Sequence, residues 1–232
     1  MLLLAVDTSG KNGSLALARA LPGATELSVL EVVPLAGGAF SAQLVPQIAA
    51  LLEKHGHTKR DLGAFLVANG PGSFTGLRVG LAAMKALAEA LDKPLVAVSL
   101  LEAVAREGTA RGRVLAAMDA GRNDVYVGDY QLEQVGINAR ANSERLSNRE
   151  EFLSAATNAD ATGATVVTPD PVLAEVVRAA GVPVELIEYP NAGAIARLGW
   201  EHLRRGQTVR PEDLEANYMR HSDAEIFSKP PR

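Results

Sequence analysis

The polar–apolar pattern of this chain alternates between short apolar runs and amphipathic stripes. An apolar run at residues 2–6 ends at Asp7-Thr8-Ser9-Gly10, and strand-like runs follow at 13–20 and 26–33. Lys11-Asn12-Gly13 and Pro22-Gly23 between them are hairpin chemistry, because Asn and Gly accept the positive φ that tight turns need. Residues 41–56 carry Leu44, Ile48, Leu51 and Leu52 on one helical face, and Gly56 is a natural stop. A buried strand at 64–68 comes next, then a long helix, a strand at 95–98, and a short helix capped by Ser99 that ends at Glu107. Arg111-Gly112-Arg113 reads as a connector. The pattern then restarts, with strands at 114–118 and 124–132 and a weak third strand before Asn142. A helix from Ser147 to about Ala156 and a strand at 165–168 come after it. A helix opened by Pro169-Asp170 and stopped by Gly181, a strand at 184–187 and a helix at 191–205 complete the series.

The long helix belongs to residues 69–91, NGPGSFTGLRVGLAAMKALAEAL. Gly70-Pro71-Gly72 breaks the chain after the strand, and Ser73 or Thr75 can cap the helix at its amino end. Phe74, Leu77, Leu81, Met84, Ala88 and Leu91 recur at steps of three and four, which is one apolar stripe. A second stripe holds only small residues, Gly76, Gly80 and Ala83. A glycine inside a helix costs roughly 1 kcal/mol against alanine, so two on one face imply a very close neighbour. Either the helix lies tightly on its own sheet, or this face meets a helix of a partner chain. The stretch is neither common phosphate loop: Gly76 is followed by Leu77-Arg78 where a Walker loop needs Lys and Ser or Thr, and Thr75 stands where a dinucleotide fingerprint needs its last glycine.

The two halves superpose in pattern. Asp7-Thr8-Ser9 and Asp119-Ala120-Gly121 both end a strand and turn into another, which suggests duplicated α/β units with a mixed, helix-covered sheet. Composition narrows the function. The 232 residues carry a net charge of −4 and no strongly basic segment, which argues against tight autonomous RNA binding. Aromatic residues make up 4%, too few for a base-stacking surface. The chain has no cysteine, hence no disulfide and no thiolate metal site. The apolar start lacks a basic n-region and is too short to span a membrane, so the cytoplasm is the expected location.

Asp7 and Asp119, at strand ends, are where α/β proteins tend to place functional groups. They either face a nucleotide, together with Thr8 and Ser9, or accept hydrogen bonds from their own turns. His55 and His57 are two apart at a helix end and point to different sides; they suit the helix dipole better than a metal, and no metal site is expected. No Gly-x-Ser-x-Gly elbow exists, and Ser73 reads as a cap.

The strings AVDTSG (5–10), GPGSFTGLRVGL (70–81) and MDAGRNDVY (118–126) resemble the TsaB (YeaZ-type) family, bacterial subunits of the machinery that makes threonylcarbamoyladenosine in tRNA. The likeness continues more loosely toward residue 220. It implies the duplicated fold of the actin, Hsp70 and sugar-kinase ATPases, with domains at 1–110 and 111–221 and a loose tail at 222–232. It also implies a non-catalytic partner subunit. The interface would be Phe74, Thr75, Gly76, Leu77, Val79, Gly80 and Ala83, docking a TsaD-type catalytic subunit and, in its absence, a second copy of the chain. A TsaE-type ATPase would join, and tRNA would be bound only by the assembly. No cofactor is expected to bind tightly: Asp7, Thr8, Ser9 and Asp119 would form at most a weak nucleotide site, with ATP or ADP held only in the complex. The catalytic relatives carry a His-x-x-x-His metal pair on the first helix, whereas residues 39–44 here contain no histidine, and Phe40-Ser41 stands where many TsaB-type relatives have His-Ser. The rival reading is a stand-alone ATP-dependent kinase using Asp7 and Asp119.

Overall fold

The computed structural model describes residues 1–133, 139–160 and 163–220. Its element order is β1 (Leu2–Asp7), β2 (Gly13–Arg19), β3 (Ser28–Leu35), α1 (Phe40–Lys54), β4 (Leu62–Gly70), α2 (Phe74–Leu91), β5 (Leu95–Ser99) and α3 (Leu100–Glu107). The second series is β6 (Gly112–Gly121), β7 (Asp124–Leu132), β8 (Ala139–Asn148), α4 (Arg149–Asp160), β9 (Thr165–Thr168), α5 (Pro171–Ala179), β10 (Val184–Leu186) and α6 (Ala192–Arg204).

Each series builds one five-stranded sheet, ordered β3-β2-β1-β4-β5 and β10-β9-β6-β7-β8. In both, the first three strands form an antiparallel meander, and the last two join parallel to its first strand. The equal order makes the internal repeat real. It is the duplicated actin/Hsp70/sugar-kinase-type α/β fold.

β1, β2 and β4 of the first sheet bury both faces, which is why they read as nearly continuous apolar runs. Leu2, Leu4 and Val6 of β1 point to α1 and α2 in one core. Leu3 and Ala5 point the other way, into a central core shared by both sheets. A third core lies under α4 and α5. The helices between the sheets are exchanged. α3, which follows the first sheet, packs on β6 and β7 of the second, while α6, last of the described α-helices, packs across β1, β2, β4 and β5 of the first. A division at 110/111 therefore separates the strands but leaves each sheet covered by a helix from the other series.

Several sequence boundaries move. The third strand of the second series extends past Asn142 to Asn148, so Ser147 ends a strand rather than opening a helix. Ser73, not Thr75, caps α2, its hydroxyl accepting from Gly76 N at 3.3 Å. The tail at 222–232 lies outside the described residues. No described helix is long and apolar enough to cross a membrane.

Candidate functional site: the interlobe cleft and the outer helix face

The carboxyl end of β1 and the amino end of α2 are built into each other. Ser73 N donates to Ser9 O at 2.7 Å, and Thr8 Oγ1 donates to the α2 carbonyl of Gly76 at 2.7 Å. Gly72, Gly76 and Gly80 line this contact. A Cβ at Gly76 would fall well under 3.0 Å from the Thr8 carbonyl, and one at Gly80 equally close to the Thr8 hydroxyl. The glycines are thus explained by the helix lying on its own sheet. Of the residues assigned to a partner face, Gly76, Leu77 and Gly80 are buried in this contact and are not available to another chain. Their inference from the small-residue stripe is corrected: the absent side chains accommodate a carbonyl and a hydroxyl of β1, not a partner helix. Phe74, Thr75, Val79 and Ala83 lie on the exposed or half-exposed side.

That outer side joins α1. Val45, 61% exposed, stands opposite Val79, Ala82 and Ala83 across a hollow of about 470 Å³ whose wall is nearly all apolar. A second hollow of about 350 Å³ continues it along Val45, Ala49, Leu52 and Leu87. At the amino end of α2 the Arg78 guanidinium lies 3.6 Å from the Phe74 ring centre and donates from Nε to Tyr218 Oη at 3.1 Å. Tyr218 packs on Phe74 with ring centres 4.9 Å apart. Nothing in the sequence of α2 alone indicates Tyr218. It arrives on a strap, residues 207–220, that crosses back from α6: Leu214 buries in the outer core, Asn217 N donates to Asn69 O at 2.7 Å, and Arg220 donates to Ala120 O at 2.7 Å and pairs with Asp124.

The strand ends of the two sheets face a cleft of about 610 Å³. Asp7, 1% exposed, turns inward and accepts from Ser9 N at 2.8 Å and from Ser9 Oγ at 2.5 Å. Burial pushes its carboxyl above the usual range, against the two Ser9 hydrogen bonds. Asp119, across the cleft, is exposed and pairs with Arg149 at 3.5 Å. The cleft therefore brings Ser9 and Asp119 to its surface, while Asp7 and Thr8 are spent on internal bonds. Phe40 lines the same cleft and fills the space over Gly13, where a Cβ would stand 2.8 Å from its ring. Tyr189, which the sequence did not single out, also lines it, with its hydroxyl against Gly10 and Ser9.

Two lobes meet at Glu144 on β8, whose carboxylate accepts from Ser99 Oγ at 2.5 Å, from Asn217 Nδ2 at 2.8 Å and from the buried Tyr130 hydroxyl. The described histidines are paired singly, His55 with Glu31 at 2.9 Å, His57 with Arg19 at 3.0 Å and His202 with Glu102 at 3.3 Å. Among the described residues no group of three or more side chains is placed to hold a metal.

Comparison with known proteins agrees with this architecture. A family model described as "TsaD: tRNA N6-adenosine threonylcarbamoyltransferase" matches residues 32–226. The tRNA threonylcarbamoyladenosine biosynthesis protein TsaB of Escherichia coli is 27% identical over 97% of this chain and 96% of its own length. TsaB of Bacillus subtilis is 37% identical over 58% of this chain, and the match spans only 59% of that protein. The structure of YeaZ from Pseudomonas aeruginosa superposes with a TM-score of 0.71 at 27% identity, covering 93% of this chain and all of that one. The chain belongs to the TsaD family of tRNA N6-adenosine threonylcarbamoyltransferases, on its TsaB (YeaZ-type) branch.

Proposed function

We propose that this chain acts in the biosynthesis of threonylcarbamoyladenosine in tRNA as a non-catalytic subunit that binds and activates a TsaD-type catalytic subunit. The observation that carries the reading is the outer face of α1 and α2. Val45, Val79, Ala82 and Ala83 leave an apolar hollow open to solvent, with the Phe74–Arg78–Tyr218 cluster at one end. Aromatic and arginine anchors beside an apolar hollow are the composition of interface hot spots. A pair of helices on the catalytic subunit would pack against this face as a four-helix contact. The same geometry lets a second copy of the chain occupy the face when the catalytic subunit is absent. A TsaE-type ATPase joins the assembled pair, and at net charge −4 tRNA is held by the assembly rather than by this chain.

The kinase reading is weaker. Asp7 is buried and bonded to its own turn, and Asp119 is paired with Arg149, so neither carboxylate is placed free beside the other for a phosphate-bound metal.

The test is a double substitution, Val45→Glu with Ala82→Glu, which places a charge on each helix of the exposed face. Sedimentation and co-purification with a TsaD-type subunit should both show loss of binding, with the urea melt unchanged. Retention of the complex by the folded variant would overturn the reading. ATP-dependent phosphorylation of a small molecule by the purified chain alone would favour the kinase.

A further inference from the structure

The strap at residues 207–220 does more than cover a core. From the carboxyl end of α6 it runs along the first lobe, where Val209 bridges Leu95 and the Lys85 ammonium donates to Leu214 O at 2.9 Å. Leu214 is buried in the outer core. The last residues then leave that core. Met219 packs on the central core shared by both sheets, and the residues beside it take partners from both lobes.

Asn217 grips the two lobes at once. Its N–H donates to Asn69 O at the end of β4, at 2.7 Å, and its Nδ2 donates to Glu144 of β8 at 2.8 Å. Gly70 makes the approach possible: its φ is +121°, and a Cβ there would stand 2.9 Å from Asn217 O. Tyr218 turns outward onto Phe74 and accepts from Arg78 Nε, both on α2 of the first lobe. Arg220 then crosses to the second lobe. Its Nη1 donates to Ala120 O at 2.7 Å, and its Nη2 donates to Gly121 O at 3.0 Å and to the Asp124 carboxylate. These acceptors ring the β6–β7 turn, where Arg122 and Asn123 both hold positive φ, 55° and 66°. That conformation fixes a tight two-residue hairpin. Two carbonyls and a carboxylate thus converge from one rigid turn on a planar guanidinium, whose fork suits several acceptors at once. The Arg220 side chain is 24% exposed, so much of this bonding is shielded from water.

We infer that residues 217–220 are a clasp that fixes the angle between the two lobes from outside the cleft. The clasp is anchored on the first lobe at Asn69 and Phe74, and on the second at Glu144 and the β6–β7 turn. α3 and α6 join the lobes through their shared core, which resists separation but leaves rocking about that core open. Rocking would carry the β6–β7 turn away from α2, and Arg220 spans that path. The clasp acts whichever partner covers the outer face of α1 and α2.

The chain contains no cysteine, so nitroxide labels attach only where one is introduced. Ser41→Cys at the amino end of α1 and Glu150→Cys at that of α4 are exposed positions on opposite lobes. Pulsed EPR on this pair reads the interlobe distance in the full chain. The labelled chain should give one narrow distribution. Adding Arg220→Ala should broaden it, with the equilibrium between fixed and splayed lobes shifted by roughly tenfold or more, the worth of a hydrogen bond to a charged group. Asn217→Ala, which releases the other end of the clasp, should broaden it as well. Circular dichroism shows whether each variant is folded, and Arg220→Lys, which keeps the charge but loses the fork, replaces Arg220→Ala if that variant is not. A native-like distribution in any folded variant would overturn the inference, as would a native chain whose distribution is already broad.

Discussion

Replacing Gly76 with alanine separates local helix propensity from tertiary fit. In α2 the propensity term alone favours alanine by up to about 1 kcal/mol. The structure gives the opposite sign. The new methyl would stand well under 3.0 Å from the Thr8 carbonyl, a backbone atom of a buried strand end that cannot rotate away. Relief requires α2 to lift from β1, which stretches the Thr8 Oγ1 to Gly76 O bond, now 2.7 Å, and the Ser73 N to Ser9 O bond of the same corner. Overpacking of this kind costs about 1–3 kcal/mol, and a weakened buried hydrogen bond adds about 1 kcal/mol. After the propensity gain, the net loss is about 1–3 kcal/mol. With a urea m-value near 3 kcal/mol/M, the midpoint should fall by roughly 0.3–1 M with the slope preserved. The measurement is a urea melt of the native chain and Gly76→Ala followed by circular dichroism. A midpoint equal to or above the native one would refute the idea that this glycine serves the helix–sheet contact.

Other outcomes rest on contacts of the same kind. Glu144→Ala leaves Ser99, Asn217 and the buried Tyr130 hydroxyl without their shared acceptor, and should cost about 1.5–3 kcal/mol in a urea melt. Leu214→Ala on the strap empties a buried site, 3% exposed, in the outer core, and should cost about 2–5 kcal/mol by the same assay. Asp7 gives a pH signature. Burial raises its folded-state pKa above the ordinary 3.8, so the folded chain holds the proton more tightly than the unfolded chain. Its contribution to stability is therefore full below 3.8 and is lost as pH rises through the raised value. Asp7→Asn keeps an oxygen for Ser9 and carries no charge, so it should stabilise the chain at about pH 7 and lose that advantage near pH 4. Melts at the two pH values check this, and an advantage larger at the acid end would contradict it.

What the sequence revealed depended on how local the cause was. The strands of the first meander, the first two strands of the second, the helix starts near Asp170 and Asn191, and the α2 stripe are written in neighbouring residues and read correctly, whereas the polar third strand of the second meander reads too short, its end passing for a helix start. The glycine stripe pointed to a close neighbour, but periodicity cannot identify it, and the neighbour is Thr8, 68 residues away. Tyr189 and Tyr218 carry no motif; their importance comes from chain crossings that bring them to Gly10 and Phe74. The exchange of α3 and α6 was equally hidden, because each helix is amphipathic whichever sheet it covers.

That exchange has a consequence for how the chain is made. Leu3, Ala5, Ala16, Ala18 and Leu66 on the inner face of the first sheet are buried in the central core with Ile195 and Ala196 of α6. During synthesis α6, the last of the described α-helices, emerges some 90 residues behind β5. At about 5–20 residues per second the first sheet waits roughly 5–20 s with one face bare. The first half therefore cannot complete its fold as it leaves the ribosome, and its inner face stays bare until α6 arrives.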